Sequence, residues 1–425
     1  MRRFQGALTL STLTLLITTT VPISAWAVDP NAFNSRLQES MKHTELSISS
    51  SNCEAEGNDI VLRDVTIRLQ ELQNSAAQTD QSSSSDKQSK EPDGNVSPAA
   101  TLVFDKIDSL RFKNVTEDQD GNYYAENVSI PMLRSATPEV TFNLKDISIE
   151  KIRLASKKNT NPLFLYFPYE SSTIGEIYLT HQDQTFLNVE AFNTIYLLQP
   201  DTKRVDLSGS IKSFYYEPER SDNPEGAKWL KDLGYDKLSG SLNFHANWDS
   251  ESGKYVGDRS EITIDNAGKL TLSTNIDGIT EDLINNVKNL KQLQAANKQD
   301  DTTAEMLSVM GVIQQLKFGD VTIHYDDKSL TNRILDYYAK QNGVTREDFI
   351  TELKATLPLI GAKIDDPEFV KNTSEQIGNF LDNPKSLTVS ATPGKTIPLT
   401  VLYATGSISA AKLINLLKVK VEANK

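Results

Sequence analysis

From Leu102 to about Ile276 large apolar side chains recur at every second position: Val140-Phe142-Leu144, Phe186 to Val189, Ile195-Leu197, Val205-Leu207, Leu242-Phe244, Ile262-Ile264 and Leu270-Leu272. That period is the signature of strands with one face buried. The parity changes inside some runs, as between Leu144 and Ile147, and a bulge or tight bend there is required to keep the apolar set on one face. Turn signals separate the runs at Asp120-Gly121-Asn122, Ser252-Gly253 and Asn266-Ala267-Gly268. The pattern predicts a long antiparallel meander, either curled on itself or folded into a sandwich.

Elements with other periods flank the meander. Asp29-Pro30 followed by Phe33, Leu37 and Met41 predicts an amphipathic helix from Pro30 to about Lys42. Leu46-Ile48 and Ile60 to Leu69 read as strands. Residues 75–98 contain four consecutive serines and a single large aliphatic residue, Val96, so they cannot bury enough apolar area to offset ordering and are expected to form a disordered insertion. After Gly278 the period lengthens. Helices are expected from Asp282 to about Ala296, from Leu330 to Gln341 with Gly343 as C-cap, after Thr345 with Asp348 three residues on, and from Asp366-Pro367 to the residues before Pro384. A strand over Leu316 to Tyr325 precedes the last three. Leu387-Val389 and Leu399-Val401-Tyr403 predict closing strands, followed by a helix over Ala410 to Leu417 and a tail strand at Val419-Val421. The fold class is α+β, predominantly β, with a β-rich region at 28–278, a helix and linker at 279–303, and a helical α+β part at 304–425.

The first 27 residues read as a signal peptide. Arg2-Arg3, an apolar stretch from Ala7 to Val21 and the small-residue site Ala25-Trp26-Ala27 predict cleavage after Ala27 and a periplasmic destination. No later stretch is long and apolar enough to span a bilayer as a helix. The 425 residues carry a formal charge of −13, with basic runs no longer than pairs such as Lys157-Lys158. Nucleic acid is excluded as a partner on that ground, and an anionic membrane surface is disfavoured for the body as a whole. Cys53, the lone cysteine, has no intramolecular disulfide partner, so the core must hold the fold.

Chemistry-bearing motifs are sparse. His43, His181, His245 and His324 fall in separate elements with no ligand partner at metal spacing, and no nucleophile elbow or zinc-protease helix is present. Thr392-Pro393-Gly394-Lys395-Thr396 resembles the end of a phosphate loop but has Val389 where the first glycine is required. Asp118-Gln119-Asp120-Gly121 imitates part of a calcium loop yet places Asn127 where Glu closes the site. The acidic pairs Asp326-Asp327 and Asp365-Asp366 fit turn and cap positions. The sequence therefore implies no catalytic residue, no metal and no cofactor.

What remains is the apolar face of the meander, which must be hidden against another sheet, by curling, or against an apolar ligand. Phe142, Leu144, Ile152, Leu154, Ile177, Leu179, Ile195 and Leu197 are the expected inward-facing candidates. The early helix, the strand Gly57-Asn58-Asp59-Ile60-Val61-Leu62-Arg63-Asp64-Val65-Thr66-Ile67 and the later strand Leu242 to Trp248 entering the Ser260 to Ile276 meander resemble the AsmA-like envelope proteins of Gram-negative bacteria. The resemblance is one of strand rhythm over about half of the chain, with no functional residue to carry over. It implies envelope biogenesis and, for some members, movement of phospholipid along a curled apolar sheet. The cleavable leader and the helical C-terminal third depart from that family's pattern. The expected function is non-enzymatic binding of a lipid or another envelope component, or assistance to envelope maintenance. The alternative is an interaction module with a sealed core that engages an envelope protein.

Overall fold

The computed structural model describes residues 28–41, 46–70, 101–159, 161, 163–199, 203–221, 223–287 and 302–425. The leader, the serine-rich insertion at 75–98, Lys42 and the second half of the helix expected over 282–296 lie outside the described residues. Among those described, 18 strands and a set of mainly C-terminal helices build a predominantly antiparallel, unclosed sheet.

The described residues open with α1 (Pro30–Met41) and three strands, β1 (Leu46–Ser49), β2 (Asn52–Glu56) and β3 (Asp59–Gln70). β4 (Thr101–Val103), β5 (Ile107–Lys113) and β6 (Thr116–Glu117) follow. The meander proper is β7 (Tyr123–Ala136), β8 (Val140–Leu154), β9 (Ser171–His181), β10 (Gln184–Leu198), β11 (Arg204–Tyr216), β12 (Leu238–Asp249), β13 (Lys254–Ile264) and β14 (Gly268–Asp277). Each of these strands pairs antiparallel with the next. Two short helices interrupt it, α2 (Leu163–Tyr166) and α3 (Pro224–Asp232), and a third, α4, covers 281–287.

The sheet does not stop at the boundary expected near 279–303. β15 (Lys317–Asp327) pairs with β14 from Asp277↔Lys317 to Gly268↔Asp327. β16 (Ser386–Ala391), β17 (Ile397–Pro398) and β18 (Val419–Ala423) then extend the same sheet. Around them lie α5 (Thr302–Gln315), α6 (Leu330–Asn342), α7 (Arg346–Gly361), α8 (Pro367–Asp382), α9 (Leu399–Ile408) and α10 (Ala410–Leu417). The caps expected from sequence are in place. Gly343 ends α6 in the left-handed region, Thr345 accepts from the Asp348 N–H, and Asp366 accepts from the Phe369 N–H.

Two sequence expectations fail locally. Leu399-Val401-Tyr403 is the first turn of α9, not a strand; only Ile397-Pro398 is extended, and Pro398 stands at the N-cap. Three alternating residues fit either period, and the Ala404-Thr405-Gly406 continuation carries no period-two signal to decide between them. α5 occupies residues that the sequence reading left as linker and domain start.

The main core sits at the N-terminal end. Phe33 and Leu37 of α1 are buried against β3, β5, β7 and β8, with Ile60, Leu62, Leu110, Phe112, Tyr123, Ile152 and Leu154. Phe33 stacks edge-on against Phe112 at 5.1 Å and against Tyr123 at 5.6 Å between ring centroids. Cys53 packs on this core with its Sγ 3.1 Å from the Pro30 carbonyl oxygen, and burial pushes its thiol pKa upward, assisted by Asp29 and Glu54. Phe33→Ala removes the ring that joins helix to sheet and is expected to destabilise by about 3–5 kcal/mol in denaturant unfolding; a loss below about 1 kcal/mol would show that α1 is an appendage.

Candidate functional site

Backbone irregularities organise the apolar face. Asp146, Lys151 and Ala191 have φ of 52°, 50° and 50°, so each bends its strand and turns the side-chain parity over while the register with the neighbouring strands is kept. Of the bulge or tight bend that the Leu144/Ile147 parity change required, the bend is present, at Asp146. Gly175 lies beside it on β9, where an added Cβ would stand 3.0 Å from the Asp146 Cβ, so the neighbouring strand carries no side chain at the bend.

With parity corrected in this way, one unbroken apolar row crosses ten strands. It runs through Ile130, Ile147, Ile174, Phe192 and Ile211 on β7 to β11. It continues through Leu242, Ile262, Leu270, Tyr325 and Leu387 on β12 to β16. A parallel row holds Leu133, Leu144, Ile177, Val189, Phe214, Gly240 and Ile264. The glycines let aromatic rings lie against the backbone: a Cβ on Gly240 would come within 2.9 Å of the Phe214 ring, and one on Gly209 within 2.2 Å of the Phe244 ring.

The row has different surroundings along its length. Ile130 and Ile147 are buried in the N-terminal core, and Ile174 packs against it. By β13 and β14 the same row is open, with Ile262 43% and Leu270 42% exposed. The adjoining row on β14 to β16 is open too: Leu272 pairs with Ile323 and Ile323 with Val389, at 38%, 43% and 38% exposure.

Both ends of this open stretch, along the strand direction, are closed. At one, Trp248, Val205 and Leu163 are buried with Tyr166, Phe167, Tyr196 and Ile284, and the Trp248 indole donates to the Ile279 carbonyl at 2.8 Å. At the other, Leu233, Tyr235 and Ala267 pack with Leu238, Ile264, Leu330 and Ile334, and the Arg333 guanidinium lies 4.5 Å from the Tyr235 ring. The Phe380 ring of α8 meets Tyr325 at 6.3 Å. From Ile262 on β13 to Val389 on β16 the exposed residues cross three strand spacings, roughly 14 Å at 4.8 Å each. An extended acyl chain spanning one leaflet is about 15 Å long.

The eight candidates from sequence separate into three groups. Ile152 and Leu154 are buried in the N-terminal core, and Phe142 and Leu144 pack on it. Ile177 and Leu179 lie on the apolar face, partly exposed, paired to Leu144 and Phe142. Ile195 and Leu197 are a correction, because they face the opposite side, paired with Ser208 and Asp206, while Thr194, Tyr196 and Leu198 face the apolar side. The left-handed residue Ala191 is the cause: counting in twos from Leu187 and Val189 reaches Ile195, and the parity change at Ala191, made in register with β9 and β11, moves the apolar set to Phe192. Sequence reasoning missed the exposed group Ile262, Leu270, Leu272, Ile323 and Val389. It placed the strands, but no pattern along one chain tells which part of a face another element covers.

The opposite face carries a polar network. Arg259 reaches Glu261 at 2.9 Å, Lys269 reaches Glu261 and Asp326 at 3.4 Å each, His324 Nε2 lies 3.0 Å from Asp326, and His324 Nδ1 lies 2.7 Å from Thr388 Oγ1. The Thr388-His324-Asp326 row has the order of a hydroxyl, imidazole and carboxylate relay, yet β16 is paired on both sides, so its backbone N–H groups serve the ladder and not an oxyanion. Asp327 accepts from the Tyr325 hydroxyl and the Thr331 N–H, a capping role. A cavity of about 1400 Å³ lined by Asp236, Lys237, Asp265, Lys269, Asp326 and Arg333 lies at the hairpin tip beside this network and off the open part of the apolar row. Among the described residues no group of three or more His, Cys, Asp or Glu side chains could hold a metal ion.

Residues 261–424 match a family model described as "Uncharacterized protein". The match begins in β13, ends one residue past β18 and covers less than half of the chain. No curated protein matches the chain.

The Arg259 hydrogen bond holds the Glu261 carboxyl below the ordinary glutamate range; burial opposes this and Lys269 adds to it. Burial pushes Asp326 up, but His324 and Lys269 outweigh it and the net shift is downward. A carboxyl depressed in the folded state stabilises above its unfolded pKa, about 4, and that contribution is lost as pH falls through the folded value. Thermal unfolding below about pH 4 is therefore expected to cost Glu261→Gln less Tm than the parent chain; equal losses would remove Glu261 from the acid response.

Proposed function

We propose that this chain is a non-enzymatic protein of the bacterial periplasm that shelters an apolar envelope component, an acyl chain, on the open part of its sheet face. The observation that carries the reading is the single apolar row that is buried at β7 and β8 and bare at β13 and β14. Fully burying a Leu or Ile side chain is worth about 1.5–3 kcal/mol, so a row left about two-fifths exposed forgoes on the order of 1 kcal/mol per residue. An apolar occupant recovers that energy. The row suits a linear occupant in length and shape, because it runs across strands between aromatic and aliphatic plugs. The leader pattern and the AsmA-like strand rhythm point to the envelope as the setting. An interaction module with a sealed core would have this row covered.

Titration with a fluorescent fatty acid separates the readings. Leu270→Glu and Ile323→Glu are expected to weaken binding about tenfold or more with little change in Tm, because both sites are open and a charge there meets the occupant. Ile195→Glu, on the other face, is expected to bind as the parent does. Saturable binding that survives both row variants, or that Ile195→Glu removes, would contradict the proposal.

A further inference from the structure

The net charge of −13 conceals a local reversal. Between Asp382 and Glu422 the chain has no acidic residue and carries Lys385, Lys395, Lys412, Lys418 and Lys420. The structure gathers part of this charge. Lys418, at the left-handed end of α10, reaches over the Gly394-Lys395 turn, with its Nζ 3.5 Å from where a Cβ on Gly394 would stand.

Within the same segment lies a helix that buries none of its residues. α9 turns Val401, Tyr403, Ala404, Ser407 and Ile408 outward, an uncharged half-cylinder, with Tyr403 and Ile408 each 78% exposed. The end of α7 adds Leu359 and Ile360, at 72% and 73%. These elements share one end of the helical layer: Asn415 of α10 donates to Asp366, the N-cap of α8, and Gly361 of α7 lies against Val370 of α8. α5 packs on α9 with Val309 and Met310 also exposed.

We infer that this end of the molecule docks on the surface of an anionic phospholipid bilayer. The apolar side chains enter the headgroup and acyl boundary, and the lysines meet the lipid phosphates. Large apolar residues at over two-thirds exposure are costly in water. Lys395, Lys412 and Lys418 around α9 select the occupant, since a second copy of the chain would bring the same cations against these, while the stretch after Leu359 and Ile360 mixes Lys363 with Asp365, Asp366 and Glu368. The inference goes beyond the sheet-face proposal and rests on different residues.

The test is vesicle flotation of the full chain as the host produces it, with phosphatidylglycerol-rich and with pure phosphatidylcholine vesicles. The chain is expected to float with the first, far less with the second, and less as salt rises. The pair Tyr403→Glu with Ile408→Glu, and separately Leu359→Ser with Ile360→Ser, are expected to lower the bound fraction about tenfold while Tm stays unchanged. Lys395→Glu with Lys412→Glu is expected to remove the lipid selectivity. No flotation with anionic vesicles, equal flotation of the variants, or a dimer that these substitutions dissociate in sedimentation equilibrium would overturn the inference. Fatty-acid titration of the same variants is expected to match the parent, so failure here and failure of the sheet-face reading are told apart.

Discussion

The architecture depends on keeping one apolar set on one side of a sheet more than ten strands wide. Strands have a side-chain period of two, so a single left-handed residue turns every following side chain over. Asp146, Lys151 and Ala191 make that inversion at chosen points, in register with their neighbours, and bring Ile147, Ile152 and Phe192 onto the apolar face. Without them β8 and β10 would each present half of their apolar residues to the polar side. The positive φ at three non-glycine residues is a cost the row repays through continuous cross-strand contact.

Continuity of the row also explains why the molecule has a filled core and an open face in the same sheet. α1 supplies Phe33 and Leu37 over the first strands, and the N-terminal core closes there. Farther along, α2 and α4 cover one end of the strands, α3 and α6 cover the other, and the middle of β13 to β16 keeps exposed Ile, Leu and Val. The segment that follows β16 brings together lysines and a helix that buries none of its residues, in a chain that is otherwise acidic.

Much of the fold was legible in the residues. Alternation located the meander, the Leu144/Ile147 parity change located a bend, and Asp366-Pro367, Thr345 and Gly343 located helix ends because caps depend on local hydrogen bonds. Two kinds of feature were not legible. A three-residue alternation at Leu399 to Tyr403 is too short to distinguish a strand from one helical turn, and the helix there is fixed by packing against α5 and α10. The parity change at Ala191 was masked because Ile195 and Leu197 continue an apparent alternation, although Phe192, Thr194, Tyr196 and Leu198 carry the true one. Exposure of the row was beyond reach for a different reason, since it depends on which helices fail to cover it.

The central claim is that the open part of the row holds an acyl chain. Photolabelling the full chain with a diazirine-bearing fatty acid and mapping the adducts by mass spectrometry addresses it at the level of residues. The account predicts saturable labelling on Ile262, Leu270, Leu272, Ile323 and Val389, competed away by unlabelled fatty acid. Labels confined to other surfaces, or labels on the row that competitor does not displace, would contradict it.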